Sequence, residues 1–248
     1  ILIGDGSIAE SYLSIPKIIN AALALKVEAI HPGYGFLSEN ADFASACEKN
    51  NIKFVGPKPK SIKIMGNKAT AKKIVSAAGF QCIPGCELNK RTSSEISFLG
   101  KNVGYPLMIK ASSGGGGKGM RLVNREEELH KELKIARAEA LSSFGSNEII
   151  FERAITDARH VEIQIFGDAA GNIIHLGERD CSLQRRHQKI FEETPCPKMS
   201  KKLRQAMGET AVKIGKEINY IGAGTIVFLL DSNNDFYFLE MNTRLQVE

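Results

Sequence analysis

Four consecutive glycines, residues 114–117, form the most unusual segment of the chain. They lie between two apolar stretches, with Lys110 before them and Lys118 after them. Each glycine adds backbone freedom that is lost on ordering, so the run is costly unless the main chain approaches a ligand closely or moves. Backbone N–H groups beside two lysines suit the oxygens of a polyphosphate. The segment predicts a mobile loop over phosphates, although a hairpin tip without function has the same composition.

Oxygen donors mark the end of the chain. If residues 236–242 form a strand, Glu240 and Asn242 point to the same face because strand side chains alternate. Mg²⁺ takes such carboxylate and amide oxygens together with those of phosphate, whereas a strand that merely meets solvent also turns polar. The alternation continues through five polar residues, which share one wall if the segment stays extended: Glu240, Asn242, Arg244, Gln246 and Glu248.

Residues 178–189 are rich in both charges and polar groups. The basic run within them, Arg185-Arg186-His187, is of a kind often found in nucleic-acid-binding segments. Acidic residues are interleaved with it, however, and aromatic residues for base stacking are absent. In an extended segment His187 and Lys189 project the same way, so neither nucleic-acid binding nor an ordinary solvated face fits the segment well.

Alternating strands and helices must position these groups. Residues 27–30 and 52–55 read as short strands, and between them Ser38 is expected to cap a helix with Phe43 and Cys47 on one face. This alternation favours a parallel, doubly wound unit. A helix over residues 68–78 stops before Gly79, and the polar stretch 89–95 is the best candidate for a loop between domains.

Further elements follow the glycine run. The strands 106–111 and 120–123 flank it as a hairpin. The other predicted elements are a helix over 126–143, strands over 148–152, 160–166 and 173–179, a helix from 200 to about 218, and a final hairpin of strands 225–231 and 236–242.

Bulk composition excludes several classes of protein. The 248 residues are 43% hydrophobic and 25% charged, with a formal net charge of +5, which is ordinary for a globular protein. No apolar run approaches the ~20 residues needed to cross a bilayer. The five cysteines are scattered without a Cys-x2-Cys pair, so we expect reduced thiols and no zinc site. We expect neither a membrane nor a nucleic-acid partner, and a reducing compartment: bacterial cytoplasm, or the mitochondrial matrix if the source is eukaryotic.

Five segments in this order resemble biotin carboxylase, the ATP-grasp subunit or domain of biotin-dependent acyl-CoA or pyruvate carboxylases. They are residues 31–40 (HPGYGFLSEN), 110–121 (KASSGGGGKGMR), 159–164 (RHVEIQ), 178–189 (ERDCSLQRRHQK) and 240–248 (EMNTRLQVE). The resemblance covers essentially the whole chain. It implies an α/β (α+β) fold with a Rossmann-like pre-ATP-grasp domain over residues 1–85, incomplete at its start. An ATP-grasp domain over residues 86–248 follows, with a Gly-rich lid subdomain at about 88–152 and a truncated C-terminus.

The resemblance also implies a reaction, its cofactors and its partners. ATP phosphorylates bicarbonate, carboxyphosphate decomposes to CO2 and phosphate, and CO2 is transferred to biotin on a carrier. The implied cofactors are ATP, Mg²⁺ or Mn²⁺, and biotin. The implied partners are a biotin carboxyl carrier and a carboxyltransferase, each a domain or a separate protein, and the full-length protein is expected to be a homodimer.

The family motifs assign a role to each matching residue. ATP contacts fall on Lys68, Lys110, Gly115, Gly116, Gly117, Gly119, Glu152, Ile155, His160, Gln184 and His187. Metal ligands fall on Glu240 and Asn242, and the bicarbonate pocket on Lys189, Arg244, Gln246 and Val247. Glu248 matches the general base, with Arg244 and Lys189 as further catalytic residues, and Tyr34 is placed near biotin.

One position departs from the family pattern. The strand residue that is normally a metal-binding Glu is Val227 here. If Asp231 pairs with Phe236 across the final hairpin, Val227 lies directly opposite Glu240, so the missing carboxylate is the partner of the remaining one. We therefore expect weakened Mg²⁺ binding and an impaired or inactive site.

Two alternatives stay open at this point. Another ATP-grasp ligase, such as a carbamoyl-phosphate or purine-pathway enzyme, shares the lid and the metal strand but lacks the run at residues 184–189. A nucleotide-binding or assembly module without turnover fits Val227 and the expectation that the chain is a fragment that lacks both ends of the family's domain.

Overall fold

The computed structural model describes residues 1–4, 6–88, 91–113, 117–185 and 188–247. Its helices are α1 (Ile15–Ala24), α2 (Ala41–Lys49), α3 (Pro59–Met65), α4 (Lys68–Ala77), α5 (Ser93–Val103), α6 (Leu129–Phe144) and α7 (Lys201–Glu217). Its strands are β1 (Ala29–Ile30), β2 (Lys53–Phe54), β3 (Gly85–Glu87), β4 (Leu107–Ala111), β5 (Arg121–Val123), β6 (Ile149–Arg153), β7 (Arg159–Gly167), β8 (Ile173–Asp180), β9 (Gln184–Arg185), β10 (Gln188–Lys189), β11 (Gly222–Leu230) and β12 (Phe236–Asn242).

The first part of the chain contains the parallel pair β1 and β2, as predicted. Helix α2 buries Phe43 and Cys47 against this pair, which confirms the predicted apolar face. The predicted cap was wrong: the side chain of Asn40, not Ser38, accepts the hydrogen bond from the Phe43 backbone N–H at 2.8 Å. Tight turns through Gly33 and Gly35, both with positive φ, occupy the chain before the helix, so it begins two residues later.

Strands β3, β6, β4 and β5 form an antiparallel four-stranded sheet in that order, covered by α5 and α6. The predicted hairpin on either side of the glycine run is confirmed, with Leu107 opposite Val123. The loop predicted at residues 89–95 is wrong in its last part, because α5 begins there. Thr92 and Glu95 form a reciprocal capping box that satisfies the first backbone donors of α5.

A second antiparallel sheet, in the order β12, β11, β7 and β8, carries helix α7 on one face. Odd-numbered residues of β7 such as Val161 and Ile163 are buried in the core beneath α7. The even-numbered residues therefore face the other side, as the period of two predicts. Ser200 caps α7 by accepting from the Leu203 backbone N–H, as expected.

A β-bulge sets the register of the final hairpin. Near the loop Leu230, not Asp231, pairs with Phe236, so the predicted starting register was wrong by one residue. The register shifts between Val227 and Phe228, and beyond the shift Val227 lies opposite Glu240 as predicted. A bulge adds one residue to one strand and redirects its side chains, and here the core residues of β12 are Phe238 and Met241, three apart.

None of the helices in the described part of the chain has the length and apolar character needed to cross a bilayer. The five cysteines carry free thiols. Cys47 and Cys196 are buried in apolar clusters, so these two thiols contribute to packing.

Candidate functional site

A small pocket lies where the two antiparallel sheets meet. Its volume is about 130 Å³, enough for a phosphate group but less than the several hundred Å³ of a nucleotide-sized site. Five cationic or imidazole side chains and two oxygen donors line it: Lys68, Lys110, Lys118, Lys189, His160, Glu240 and Asn242, with Gly117, Gln184 and Val227 among the others. The composition suits a bound anion accompanied by a metal ion.

A second, more open pocket of about 490 Å³ adjoins the first and shares Lys189, Glu240 and Asn242 with it. The remaining residues of its lining come from the end of the chain, from β10 and from a turn in the first part of the chain: Arg244, Gln246, Val247, Gln188, Tyr34 and Gly35. Groups bound in the two pockets would therefore both lie beside these three side chains. Such an arrangement places two reactants next to each other.

Lys68 is held at the first pocket by backbone pairing. It is the first residue of α4, and its backbone N–H donates to the Ser112 carbonyl at 2.8 Å, just beyond the end of β4. The Asn67 side chain caps α4 by accepting from the Thr70 N–H. Burial lowers the pKa of Lys68, with Glu240 opposing the shift. The partly desolvated ammonium is therefore poised to interact with a counter-anion.

Lys110, the lysine of β4, forms an ion pair with a buried carboxylate. Its Nζ donates to Oε2 of Glu152 at 2.6 Å, and Lys72 on α4 contacts Oε1 of the same group at 2.6 Å. Glu152 is 1% exposed. Burial raises the pKa of Glu152, but Lys110 and Lys72 outweigh that effect and hold it below its usual value. The three side chains therefore form a charged triad between α4, β4 and β6.

Glu162 anchors Lys189, one of the three residues shared by both pockets. Lys189 Nζ donates to Glu162 Oε2 at 2.6 Å, and Arg179 Nε donates to Oε1 at 2.7 Å. Glu162 is fully buried, and Glu192 lies 3.2 Å from Lys189. Burial acts to lower the pKa of Lys189, but Glu162 outweighs it and raises that pKa above its ordinary value. Lys189 therefore acts as a fixed positive charge, not as a proton donor near neutral pH.

Glu39 fixes the orientation of Arg244. Arg244 Nε donates to Glu39 Oε2 at 3.1 Å, and the Thr243 backbone N–H donates to the other carboxylate oxygen at 2.8 Å. Arg244 also donates to Gln246 Oε1 at 2.8 Å. Gln246 is 5% exposed, and its Nε2 has no hydrogen-bond partner within the described structure. A buried amide donor without a partner, beside a guanidinium, fits a small oxyanion.

The oxygen donors fit a divalent cation in part. Glu240 and Asn242 line both pockets, so their side chains meet at one wall, as the sequence predicts. Val227, opposite Glu240 and 5% exposed, contributes methyl groups where a carboxylate would reach the same space. Two protein oxygens remain, and Mg²⁺ commonly keeps water and phosphate oxygens as its other ligands.

Most of the predicted site residues converge on these two pockets. The exceptions among described residues are Glu152, buried behind Lys110, and Ile155 and Gly119, which line neither pocket. Gly119 has φ +68°, and a Cβ there would lie 3.2 Å from that of Ala111, so the turn requires glycine. The predictions for Gly115, Gly116, His187 and Glu248 lie outside the described residues.

The sequence motifs by themselves indicate no role for Lys72, Glu162 or Glu39. The period of two in β7 already placed Glu162 on the face of His160, so its position could have been inferred. Glu39 lies within the motif at residues 31–40, but its contact with Arg244 joins residues 205 positions apart. Lys72 carried no signal, because a lysine on an amphipathic helix is normally exposed.

Two family models match most of the chain. The model described as "Biotin carboxylase, N-terminal domain" matches residues 1–62. The model described as "Carbamoyl-phosphate synthase L chain, ATP binding domain" matches residues 67–248. The first match ends within α3, and the second begins one residue before α4.

Curated relatives are similar over the full chain. A biotin carboxylase of Nostoc sp. is 53% identical over 248 residues, which are 100% of this chain and 56% of the relative. The mitochondrial methylcrotonoyl-CoA carboxylase subunit alpha of Dictyostelium discoideum is 51% identical, over 100% of this chain and 35% of the relative. A chloroplastic biotin carboxylase of Populus trichocarpa is 46% identical. The chain spans about half the length of the biotin carboxylases and a third of the methylcrotonoyl-CoA carboxylase subunit.

Solved structures match the fold closely. A biotin carboxylase–β-γ-ATP complex from Campylobacter jejuni superposes with a TM-score of 0.95 at 49% identity, covering 99% of this chain and 55% of that one. The biotin carboxylase domain dimer of Hydrogenobacter thermophilus 2-oxoglutarate carboxylase, with MgADP, ADP and bicarbonate, gives 0.95 at 44% identity over 99% and 54%.

Proposed function

Because the chain belongs to the biotin carboxylase family, we propose that the protein of which it is part carboxylates biotin with ATP and bicarbonate. The observation that carries this proposal is the contact between the two pockets. One is lined by lysines and oxygen donors, the other by Arg244 and Gln246, and they share Lys189, Glu240 and Asn242. Phosphoryl transfer from a nucleotide to a small anion requires this adjacency.

In this proposal the first pocket binds the phosphates of ATP. Lys68 and Lys110 neutralise their charge, and the glycine run, whose described end at Gly117 and Lys118 lines the pocket, closes over them. Glu152 and Ile155, together with His160 and Gln184, lie toward the rest of the nucleotide. Transfer of a phosphoryl group needs mainly positioning and charge neutralisation, which these residues supply without covalent chemistry. We retain the roles predicted for Gly115, Gly116, Gly119 and His187 in the same proposal.

Glu240 and Asn242 are the proposed ligands of Mg²⁺ or Mn²⁺. When bound, such an ion would add positive charge beside the phosphate oxygens and so would reduce the repulsion that an incoming anion meets. The side chains of Glu240 and Asn242 line both pockets, which supports this assignment. Because Val227 offers no oxygen, this chain is expected to bind the ion more weakly than a site with a second carboxylate.

The second pocket binds bicarbonate in this proposal. Arg244 and the unpaired amide of Gln246 donate to its oxygens, Val247 offers its backbone, and Lys189 adds a fixed positive charge. Bicarbonate is a poor nucleophile until it loses its proton, so a carboxylate base beside an arginine is required. We assign the base to Glu248, which follows Val247 directly, and biotin to the side of Tyr34, a 51% exposed residue on the rim.

We propose a biotin carboxyl carrier and a carboxyltransferase as partners, with a homodimer as the assembly of the full-length protein. Relatives include mitochondrial and chloroplastic proteins as well as that of Nostoc. We place this protein in a bacterial cytoplasm or a mitochondrial matrix, since its five thiols are free. The domain division at residues 85 and 86, with the lid over about 88–152, belongs to the same proposal.

An ADP-release assay on the full-length protein tests the proposed reaction. We expect ATP cleavage that depends on bicarbonate and increases with free biotin or a biotinylated carrier. The variant Gln246→Leu tests the bicarbonate pocket, because it removes the unpaired amide donor. It should raise the KM for bicarbonate and leave the KM for ATP unchanged. A rate of ATP cleavage that depends on neither bicarbonate nor biotin would indicate another ATP-grasp ligase. Nucleotide binding without any cleavage would indicate a binding or assembly module.

A further inference from the structure

Lys72 is a buried lysine with no place in the mechanism above. Its side chain is 14% exposed, and it lies on α4 one turn after Lys68. Its Nζ contacts Glu152 Oε1 at 2.6 Å and donates to the carbonyl oxygen of Ile83 at 3.0 Å. It lines a separate open cleft beside β3, not the phosphate pocket. A lysine buried this far is normally there to satisfy a specific partner.

The two lysines of the triad use different oxygens of Glu152. Lys110 holds Oε2 and Lys72 holds Oε1, and only Lys110 also lines the phosphate pocket. When the Lys110 ammonium binds a phosphate, its interaction with Glu152 weakens, but the Glu152 carboxylate stays buried. A buried carboxylate left without a compensating cation is strongly unfavourable, so Glu152 would retain Lys110 if nothing else neutralised it.

We propose that Lys72 is a positioning residue for nucleotide binding: it holds the Glu152 carboxylate and so releases Lys110 to bind a phosphate of ATP. The inference rests on the proposed function only in taking Lys110 as a phosphate ligand. It assigns Lys72 no contact with ATP. The effect should therefore require Glu152, and this separates positioning from a general structural role.

The test is a double-mutant cycle in the full-length protein. The variants are Lys72→Met, Glu152→Gln and the pair together, and binding of a non-hydrolysable ATP analogue with Mg²⁺ is measured by calorimetry. We expect Lys72→Met alone to weaken binding about tenfold or more, since truncating one member of a buried charge network has effects of this order. In the Glu152→Gln background the same change should weaken binding less than about threefold.

Lys73→Met is the matched control, because Lys73 is the next residue of the same helix, is 71% exposed and pairs with Glu87. It should leave the affinity unchanged. Lys72→Arg should keep near-normal affinity, and Lys72→Gln, which can still donate to the Ile83 carbonyl, is studied if Lys72→Met does not fold. In turnover, Lys72→Met should raise the KM for ATP while the KM for bicarbonate stays constant.

Three results would overturn the inference: an equal loss in the Glu152→Gln background, an equal loss in Lys73→Met, or unchanged affinity in both Lys72→Met and Lys72→Gln. Failure of the proposed function is a separate result. It would show as an absence of biotin-dependent turnover in the unsubstituted protein, whereas the binding cycle would still be measurable.

Discussion

Replacement of Val227 by Glu should strengthen Mg²⁺ binding and make folding stability depend on Mg²⁺. Val227 lies directly opposite Glu240 on β11 and β12, and its other neighbour across the sheet is Glu162 on β7. Glu162 is already neutralised by Arg179 and Lys189. A carboxylate at position 227 therefore acts mainly on Glu240.

The size of the effect follows from the register. Directly opposed side chains in an antiparallel pair have Cβ atoms about 5 Å apart. Two carboxylates at about 5 Å repel each other by roughly 3 kcal/mol at an effective dielectric constant of 20. Side-chain rotation relieves part of this, so we expect Val227→Glu to lower the free energy of unfolding by about 1–3 kcal/mol without Mg²⁺. A bound ion turns that repulsion into coordination, which corresponds to Mg²⁺ binding that is tighter by about tenfold to a hundredfold.

Two measurements check this prediction: thermal unfolding with Mg²⁺ or with EDTA, and Mg²⁺ titration of ADP release. Val227→Gln is the control, since the glutamine side chain has nearly the volume of glutamate and carries an oxygen but no charge. It should show less Mg²⁺-dependent stabilisation than Val227→Glu. If Val227→Glu has the Mg²⁺ dependence of the unsubstituted protein in both measurements, the assignment of Glu240 as a metal ligand opposite position 227 is refuted.

Three further predictions concern the charged side chains around the pockets. Burial lowers the pKa of Lys68, so its ammonium loses its proton at a lower pH than that of an exposed lysine. The KM for ATP should therefore rise as the pH becomes alkaline, and Lys68→Arg should flatten that rise. An identical pH profile in Lys68→Arg would contradict the assignment of Lys68 to the phosphates. Glu162→Gln leaves Arg179 and Lys189 without their shared buried carboxylate, so it should lower the free energy of unfolding by about 3 kcal/mol, as measured by urea denaturation. A loss below about 1 kcal/mol would contradict the anchoring role of Glu162. Arg244→Gln should raise the KM for bicarbonate about tenfold to a hundredfold with little change in the KM for ATP, because hydrogen bonds to charged groups contribute about 1.5–3 kcal/mol; an effect on ATP alone would place the anion elsewhere.

Local patterns predicted most of the elements around the site. The alternation in β7, the apolar face of α2 and the cap of α7 at Ser200 all follow from short-range rules, and the structure confirms them. The missed helix α5 also had a local signal, the Thr92 to Glu95 capping box, which was hidden in a polar stretch read as a loop. Helix boundaries were less predictable, because Ser38 and Asn40 are comparable caps and the preceding turns decide between them.

Register and long-range pairing were only partly predictable. The pairing of Val227 with Glu240 was correct although the assumed start of the hairpin was not, because the bulge in β12 compensates for the one-residue error. The contacts of Lys72 with Glu152 and of Glu39 with Arg244 join residues far apart in the sequence. Such pairs depend on how whole elements pack, and residue type and spacing carry no information about them.

A structure with a non-hydrolysable ATP analogue and Mg²⁺ would decide whether the first pocket is the phosphate and metal site. We expect the terminal phosphates within hydrogen-bonding distance of the Lys68 and Lys110 ammonium groups, and the ion on Glu240 and Asn242. A nucleotide bound with its phosphates away from both lysines, or an ion held by neither oxygen donor, would contradict that expectation.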